Sequence, residues 1–156
     1  MKITDNFLDK SEFENINKTF HLSNFPWYFM PFKVHEGDDN YQFYHLFIAK
    51  GKVLSNHFDI LHPILKKLGV KEILRIKANL TLKQNKHIQS DMHVDFKDCK
   101  TAIFYLNTNN GYTLFDRGDK IPSQENRVVE FNSNLKHCAV DHTDVKYRIV
   151  INFNYL

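Results

Sequence analysis

From Arg75 onward the chain breaks into short β-like runs, and this texture restricts the fold more than any other feature. Residues 75–82, 92–96, 101–106, 113–115, 127–131, 138–140 and 148–153 are rich in β-branched and aromatic side chains. Turn residues separate them, as in Asn107-Thr108-Asn109-Asn110-Gly111 and Arg117-Gly118-Asp119. Runs of this length, spaced this way, predict a sandwich or barrel of jelly-roll type. The 14 Phe and 7 Tyr agree, because flat side chains favour an aromatic-rich β core over a Leu-rich helical bundle.

The first 72 residues read differently. Asp9 stands before Ser11-Glu12-Phe13-Glu14-Asn15-Ile16 as the cap of an amphipathic helix with acidic residues in its first turn. Residues 27–29 and 42–48 read as strands, separated by the turn-rich Glu36-Gly37-Asp38-Asp39-Asn40. Leu61, Ile64, Leu65 and Leu68 keep helical spacing, and Gly69 follows as a C-cap. Pro63 either opens this helix or kinks an earlier one. At 156 residues the chain is expected to be a single domain, mainly β within an α+β class. Residues 1–72 form a helix-containing flank packed on a jelly-roll core, residues 73–156.

Composition excludes several function classes. No uncharged apolar run approaches the ~18–20 residues of a membrane span, and an acidic residue at position 5 argues against a signal peptide. Two cysteines, Cys99 and Cys138, build neither a disulfide framework nor a Cys-rich zinc cage, so a cytoplasmic location is expected. The formal charge is +3, and apart from Lys66, Lys67 and Lys71 the basic residues are scattered. A nucleic-acid partner is therefore disfavoured.

Nine histidines are many for this length. His93-Val94-Asp95 places an imidazole and a carboxylate two residues apart, on one face of a strand. His137 on a later antiparallel strand would complete two imidazoles and one carboxylate. Such a set occupies one face of an octahedral iron and leaves three positions for cosubstrate and dioxygen. Zinc hydrolases use similar ligands with one open position. Arg148 heads the apolar run Ile149-Val150-Ile151, where it can clamp a carboxylate with two parallel hydrogen bonds. The plainer reading makes it a surface arginine paired with Asp141 or Asp144. His142 follows Asp141 in a polar run and reads as solvent-facing. His21, His35, His45, His57, His62 and His87 read as structural or exposed. Cys99 and Cys138 read as small core residues, and Trp27-Tyr28-Phe29 as core.

The block from Arg75 to Phe153 resembles the iron(II)/2-oxoglutarate-dependent oxygenases, in particular the prolyl-4-hydroxylase-like branch and its small phage-encoded members. The matching residues are Met92-His93-Val94-Asp95, Ala102-Ile103-Phe104-Tyr105-Leu106-Asn107, Asn110-Gly111-Tyr112-Thr113-Leu114-Phe115, Arg127-Val128-Val129-Glu130-Phe131, His137 and Arg148. Asp5-Asn6-Phe7-Leu8 and Trp27-Tyr28 also look like the phage members, more loosely. The resemblance implies a double-stranded β-helix, with iron(II) on His93, Asp95 and His137. It implies that Arg148 holds the distal carboxylate of 2-oxoglutarate and that the Tyr105 hydroxyl donates to it. It further implies an enzyme that consumes O2, with ascorbate supporting turnover, and hydroxylates a C–H bond of a prolyl-like peptide or a small molecule. Succinate and CO2 leave. For a phage-encoded chain the compartment would be the host cytoplasm.

Three positions depart from the family pattern. Ala78-Asn79-Leu80 is followed by Thr81 where many relatives have Tyr, which shortens or removes one cosubstrate hydrogen bond. Asn126 replaces a Gly, tolerable because Asn also adopts positive φ. Asn154 stands where the nucleic-acid-repair branch has a second Arg, which argues against base demethylation. The alternatives are a jelly-roll metal-dependent isomerase or hydrolase, or a non-catalytic ligand-binding module. Substrate choice is expected to lie with the first 72 residues and the loop Asn107–Asn110.

Overall fold

Ile76, Ala78 and Leu80 alternate with Arg75, Lys77, Asn79 and Thr81, and this period of two organises the molecule. The computed structural model describes residues 1–37 and 40–156; Asp38 and Asp39, within the expected turn, lie outside the described residues. In chain order the elements are β1 (Lys2–Thr4), α1 (Lys10–Phe20), β2 (Tyr28–Met30), β3 (Gln42–Ala49), β4 (Lys52–Val53), a 3-10 turn (Phe58–Leu61), α2 (His62–Leu68), β5 (Ile73–Leu82), β6 (Lys100–Tyr105), β7 (Tyr112–Phe115), β8 (Lys120–Pro122), β9 (Arg127–Asn132), β10 (His137–Val140) and β11 (Tyr147–Tyr155).

The strands form an eight-stranded sheet ordered β1-β9-β6-β11-β5-β3-β2, with β4 on β3, and a three-stranded sheet β10-β7-β8. Every pairing is antiparallel. The architecture is a mainly β jelly-roll carrying two helices. The flank does more than pack on the core. Its strands β1 and β2–β4 extend the large sheet at both edges, and β3 pairs with β5 from Phe43↔Leu80 to Ala49↔Arg75.

One face of the large sheet is closed by the helices. Phe13, Ile16 and Phe20 of α1 and Ile64 and Leu68 of α2 are buried against Ile76, Ala78, Phe104, Ile149, Ile151 and Phe153. The other face meets the small sheet through Ile103, Tyr105, Phe115, Ile121, Val129, Phe131 and Val150. Burying each large apolar side chain contributes about 1.5–3 kcal/mol, so both layers have their own driving force. Asp9 caps α1, with its backbone N–H donating to Glu12 Oε2 at 3.3 Å. Pro63 stands in the first turn of α2, which settles its role as an opener. Gly69 ends α2 at φ 65°, in the left-handed region. Among the described residues no helix is long and apolar enough to cross a membrane.

Four expectations need correction. Residues 92–96 are not a strand: a single bridge pairs His93 with His137, and the chain then bends so that Asp95 reaches Arg75. His142 is fully buried rather than solvent-facing, because Asp141 before it is drawn inward by Lys33. Tyr28 and Phe29 are 54% and 60% exposed, since β2 is an edge strand, while Trp27 packs partly against the core. The loop Asn107–Asn110 does not face the candidate site described below. Asn107 is tied to Ile149 N–H and to the Tyr147 carbonyl, and Asn110 to Thr143 and Asp144.

Candidate active site

The two sheets leave between them a cavity of about 210 Å3. Its floor is the polar face of β5 and β11: Arg75, Lys77, Asn79 and Thr81 opposite Arg148, Val150 and Asn152. Antiparallel register sets Arg148 beside Thr81, Val150 beside Asn79 and Asn152 beside Lys77. The rim carries His93, Asp95 and His137. From the flank come Met30, Phe32, Lys33, Val34 and Gln42, so residues before position 72 do shape the cavity.

His93 and His137 are locked together by reciprocal backbone hydrogen bonds of 3.0 Å each, with ring centroids 5.0 Å apart. His93 Nδ1 bonds the Asp91 carbonyl at 2.9 Å and His137 Nδ1 the Leu135 carbonyl at 3.3 Å. A carbonyl only accepts, so Nδ1 carries the proton on both rings and each Nε2 presents a lone pair. Burial pushes the His137 pKa below its ordinary value, outweighing the opposite pull of Asp95. Burial alone would raise the Asp95 carboxyl. Arg75, at 2.9 Å from Oδ1, and the two imidazoles together hold it below the ordinary value. His93 Nε2 lies 3.9 Å from Asp95 Oδ1. Among the described residues no three such groups are arranged to hold a metal ion, and Asp95 Oδ1 is engaged by Arg75. The chemistry of the donors nonetheless suits an ion. Asp95 Oδ2 is buried without a hydrogen-bond partner, and the two lone pairs line the same cavity. Two imidazoles and a carboxylate suit a metal that also takes oxygen ligands.

Arg148 is 3% exposed, which removes the surface-pair reading. Asp141 is engaged instead by Lys33, whose Nζ lies 2.6 Å from both carboxylate oxygens. The Arg148 guanidinium donates from Nε to Ser123 Oγ at 2.7 Å and lies 5.8 Å from the Tyr105 ring centroid. Burial lowers its pKa below the ordinary arginine value. Tyr105 itself is fully buried and does not line the cavity. Its hydroxyl is bonded to Thr113 Oγ1 at 2.7 Å, and Thr113 is the group that reaches the wall. Tyr105 therefore seats the arginine from below.

Several site residues have no motif to announce them. Arg75, Lys77, Asn79, Thr81 and Asn152 alternate with apolar residues, a pattern that normally marks a solvent face. Here that face is roofed by the small sheet. The period-two signal was present, but its direction was not. Asn126 adopts φ 56° and exchanges two 2.9 Å hydrogen bonds with the Leu8 backbone, so the departure from Gly is accommodated. Thr81 Oγ1 is buried without a partner on the cavity floor. Asn154 is buried on Thr101 and lies off the cavity. Burial pushes the Cys138 thiol up to about 11, which leaves no nucleophile there. His45 is buried between the Pro26 carbonyl and Ser55 Oγ, a structural role.

No protein-family model matches the sequence, and no curated protein matches it. Solved structures do. An oxidoreductase of the 2OG-Fe(II) oxygenase family from Burkholderia pseudomallei superposes with a TM-score of 0.75 at 13% identity, over 97% of this chain and 82% of that one. A prolyl hydroxylase from Trichoplax adhaerens, in complex with a hypoxia inducible factor peptide fragment, gives 0.70 at 10% identity over 99% and 82%. The chain has the fold of the 2OG-Fe(II) oxygenases. The epimerase SnoN, in complex with Fe3+, alpha ketoglutarate and nogalamycin RO, shares this oxygenase fold with a TM-score of 0.70 at 13% identity, over 99% and 77%. At these identities the likeness is one of fold, and the cavity's own residues must carry the rest of the argument.

Proposed function

We propose that this protein is an iron(II)- and 2-oxoglutarate-dependent oxygenase that hydroxylates a C–H bond of a peptide or small-molecule substrate. The observation that carries the reading is the buried Arg148 guanidinium in the same cavity as His93, Asp95 and His137. A metal-dependent isomerase or hydrolase that uses no dicarboxylate cosubstrate does not require this buried cation.

His93 and His137 through Nε2, and Asp95 through Oδ2, would hold the iron on one side and leave the cavity side open. Arg75 keeps Asp95 Oδ1 occupied, so the carboxylate offers a single oxygen. When bound, iron with 2-oxoglutarate supplies dioxygen activation coupled to decarboxylation, giving succinate, CO2 and a hydroxylated product. The chain supplies orientation. Arg148 presents its Nη groups to the distal carboxylate of the cosubstrate while Ser123 and Tyr105 keep the fork from rotating. Thr81, in register beside Arg148, offers its unpartnered hydroxyl to the same carboxylate. Ile103 and Val150 give the cavity apolar wall, which limits water around the reacting carbon.

The test is anaerobic purification followed by iron(II) and 2-oxoglutarate binding, then succinate release in air with ascorbate present. About one iron(II) per chain is expected, with slow succinate formation in the absence of substrate. Failure to bind 2-oxoglutarate at millimolar concentration would favour a non-catalytic binding module.

A further inference from the structure

The wall that the flank gives the cavity is built differently from the floor. Residues 31–36, between β2 and β3, form neither helix nor strand, yet Phe32, Lys33 and Val34 line the cavity beside Met30 and Gln42. Among the described residues both apolar cores are assembled without Met30, Phe32 and Val34. Polar contacts hold the segment instead. Gln42 Nε2 donates to the Lys33 carbonyl at 3.1 Å, and Lys33 Nζ donates to both Asp141 carboxylate oxygens at 2.6 Å. His35 Nε2 lies 2.6 Å from Asp91 Oδ2. A segment with few buried apolar contacts opens at lower cost than the core does.

The far ends of these contacts lie on the other side of the cavity. Asp141 directly follows β10, and Asp91 stands just before His93. Residues 88–93 and 137–141 make one ribbon. It is joined by Asp141 N–H on the Ile88 carbonyl at 2.9 Å, Ser90 N–H on the Ala139 carbonyl at 3.0 Å and the His93–His137 bridge. The segment therefore runs from the edge of the large sheet to the ribbon that bears both imidazoles. His35 and Asp91 are exposed, so water screens their contact and it adds little. Lys33 and Asp141 have side chains only 7% and 1% exposed. A buried ion pair gains in attraction about what its members lose in hydration. Parting both charges into water together is then cheap, whereas stranding one of them is not. Such a pair holds a segment and can release it; an apolar pair of similar volume would hold without releasing.

We propose that residues 31–36 are a gate over the cavity, latched by the Lys33–Asp141 ion pair and opened when both charges are hydrated together. This rests on the oxygenase reading for the gate's purpose, which is to admit the ligands of that site, but the gate itself is a property of the walls.

Two native thiols report on it. Cys138 is fully buried and lines the cavity, while Cys99 is buried on Ser133, off the cavity. Methyl methanethiosulfonate is added to the protein, and the labelling rate of each cysteine is followed by mass spectrometry. Lys33→Met and Asp141→Asn each strand one partner, so each should speed Cys138 labelling at least about tenfold relative to Cys99. Lys33→Met combined with Asp141→Leu should slow it at least about threefold below the parent. These opposite directions are what a latch requires and a merely structural contact does not give. Stopped-flow binding of 2-oxoglutarate to the iron(II)-loaded protein under nitrogen should follow the same order. Asp141 also acts electrostatically on Arg148, so affinity alone would not separate gate from charge. A gate moves association and dissociation together: both faster in the single variants, both slower in the double one. The inference is overturned if the single and double variants shift Cys138 in the same direction, if Cys99 shifts equally, or if neither rate changes. A parent that binds no 2-oxoglutarate overturns the oxygenase reading, while the labelling of Cys138 still decides the gate.

Discussion

Arg148→Ala separates an oxygenase from a generic metal site on the same fold. In the parent the guanidinium is buried, with Nε on Ser123 Oγ at 2.7 Å and the Tyr105 ring 5.8 Å away, leaving both Nη groups for a ligand. A charge-assisted hydrogen bond contributes roughly 1.5–3 kcal/mol. Stripping one partner from a buried charge pair costs about 3–5 kcal/mol. At about 1.4 kcal/mol per tenfold, Arg148→Ala should weaken 2-oxoglutarate binding by roughly 10²- to 10³-fold or more. Arg148→Lys should lose less, because it keeps the charge but not the fork. Arg148→Met probes the opposite side of the balance. Without cosubstrate the buried cation has only a hydroxyl and a ring for company, and burial already lowers its pKa. Met should therefore keep or raise the melting temperature of the ligand-free protein while abolishing binding. Anaerobic calorimetry gives the affinities. Melting with 2-oxoglutarate at a hundred times its Kd should stabilise the parent by about 2.7 kcal/mol and leave Arg148→Ala unmoved. An Arg148→Ala protein that binds 2-oxoglutarate like the parent would refute the reasoning.

His93→Ala, Asp95→Ala and His137→Ala should each abolish succinate formation and stoichiometric iron binding while circular dichroism stays near parental; retained iron and turnover in Asp95→Ala would sink the metal assignment. Tyr105→Phe should cost less 2-oxoglutarate affinity than Arg148→Ala and leave iron content unchanged, since its hydroxyl is on Thr113 and only its ring meets the arginine. Asn126→Ala should lower stability by about 2–4 kcal/mol in a denaturant titration, combining the positive φ with two buried bonds to Leu8; a loss under 0.5 kcal/mol would contradict the account. Lys77 yields a pH signature. Its folded pKa of about 8 lies below the ordinary 10.5, so between those values the unfolded chain binds the extra proton and folding strengthens as pH rises. Lys77→Met should be more stable than the ligand-free parent at pH 7, the gap closing toward pH 10.5; a gap independent of pH would show that the ammonium is not the cause.

Local chemistry made much of this protein legible without coordinates. The Asp9 cap, the Pro63 opener and the Gly69 terminus act within one helical turn, so their neighbours in sequence are their neighbours in space. The strands of the core were likewise readable, because aromatic and β-branched runs between turn residues state their own conformation. Order, spacing and a family resemblance single out His93, Asp95, His137 and Arg148 as candidates, and the structure places all four along one cavity. What the tertiary structure alone decided is which face of each strand looks inward. Arg75, Lys77, Asn79 and Thr81 would be solvated on a one-layer sheet; roofed by β10, β7 and β8, they become the floor of a cavity. The same dependence explains the edge strands β1, β4 and β8, two or three residues each, which form only because a partner strand is already in place. It also explains Asp95, whose loop conformation is set by Arg75, 20 residues earlier in the chain. Alternation is a property of the chain, but inside and outside are properties of what packs against it.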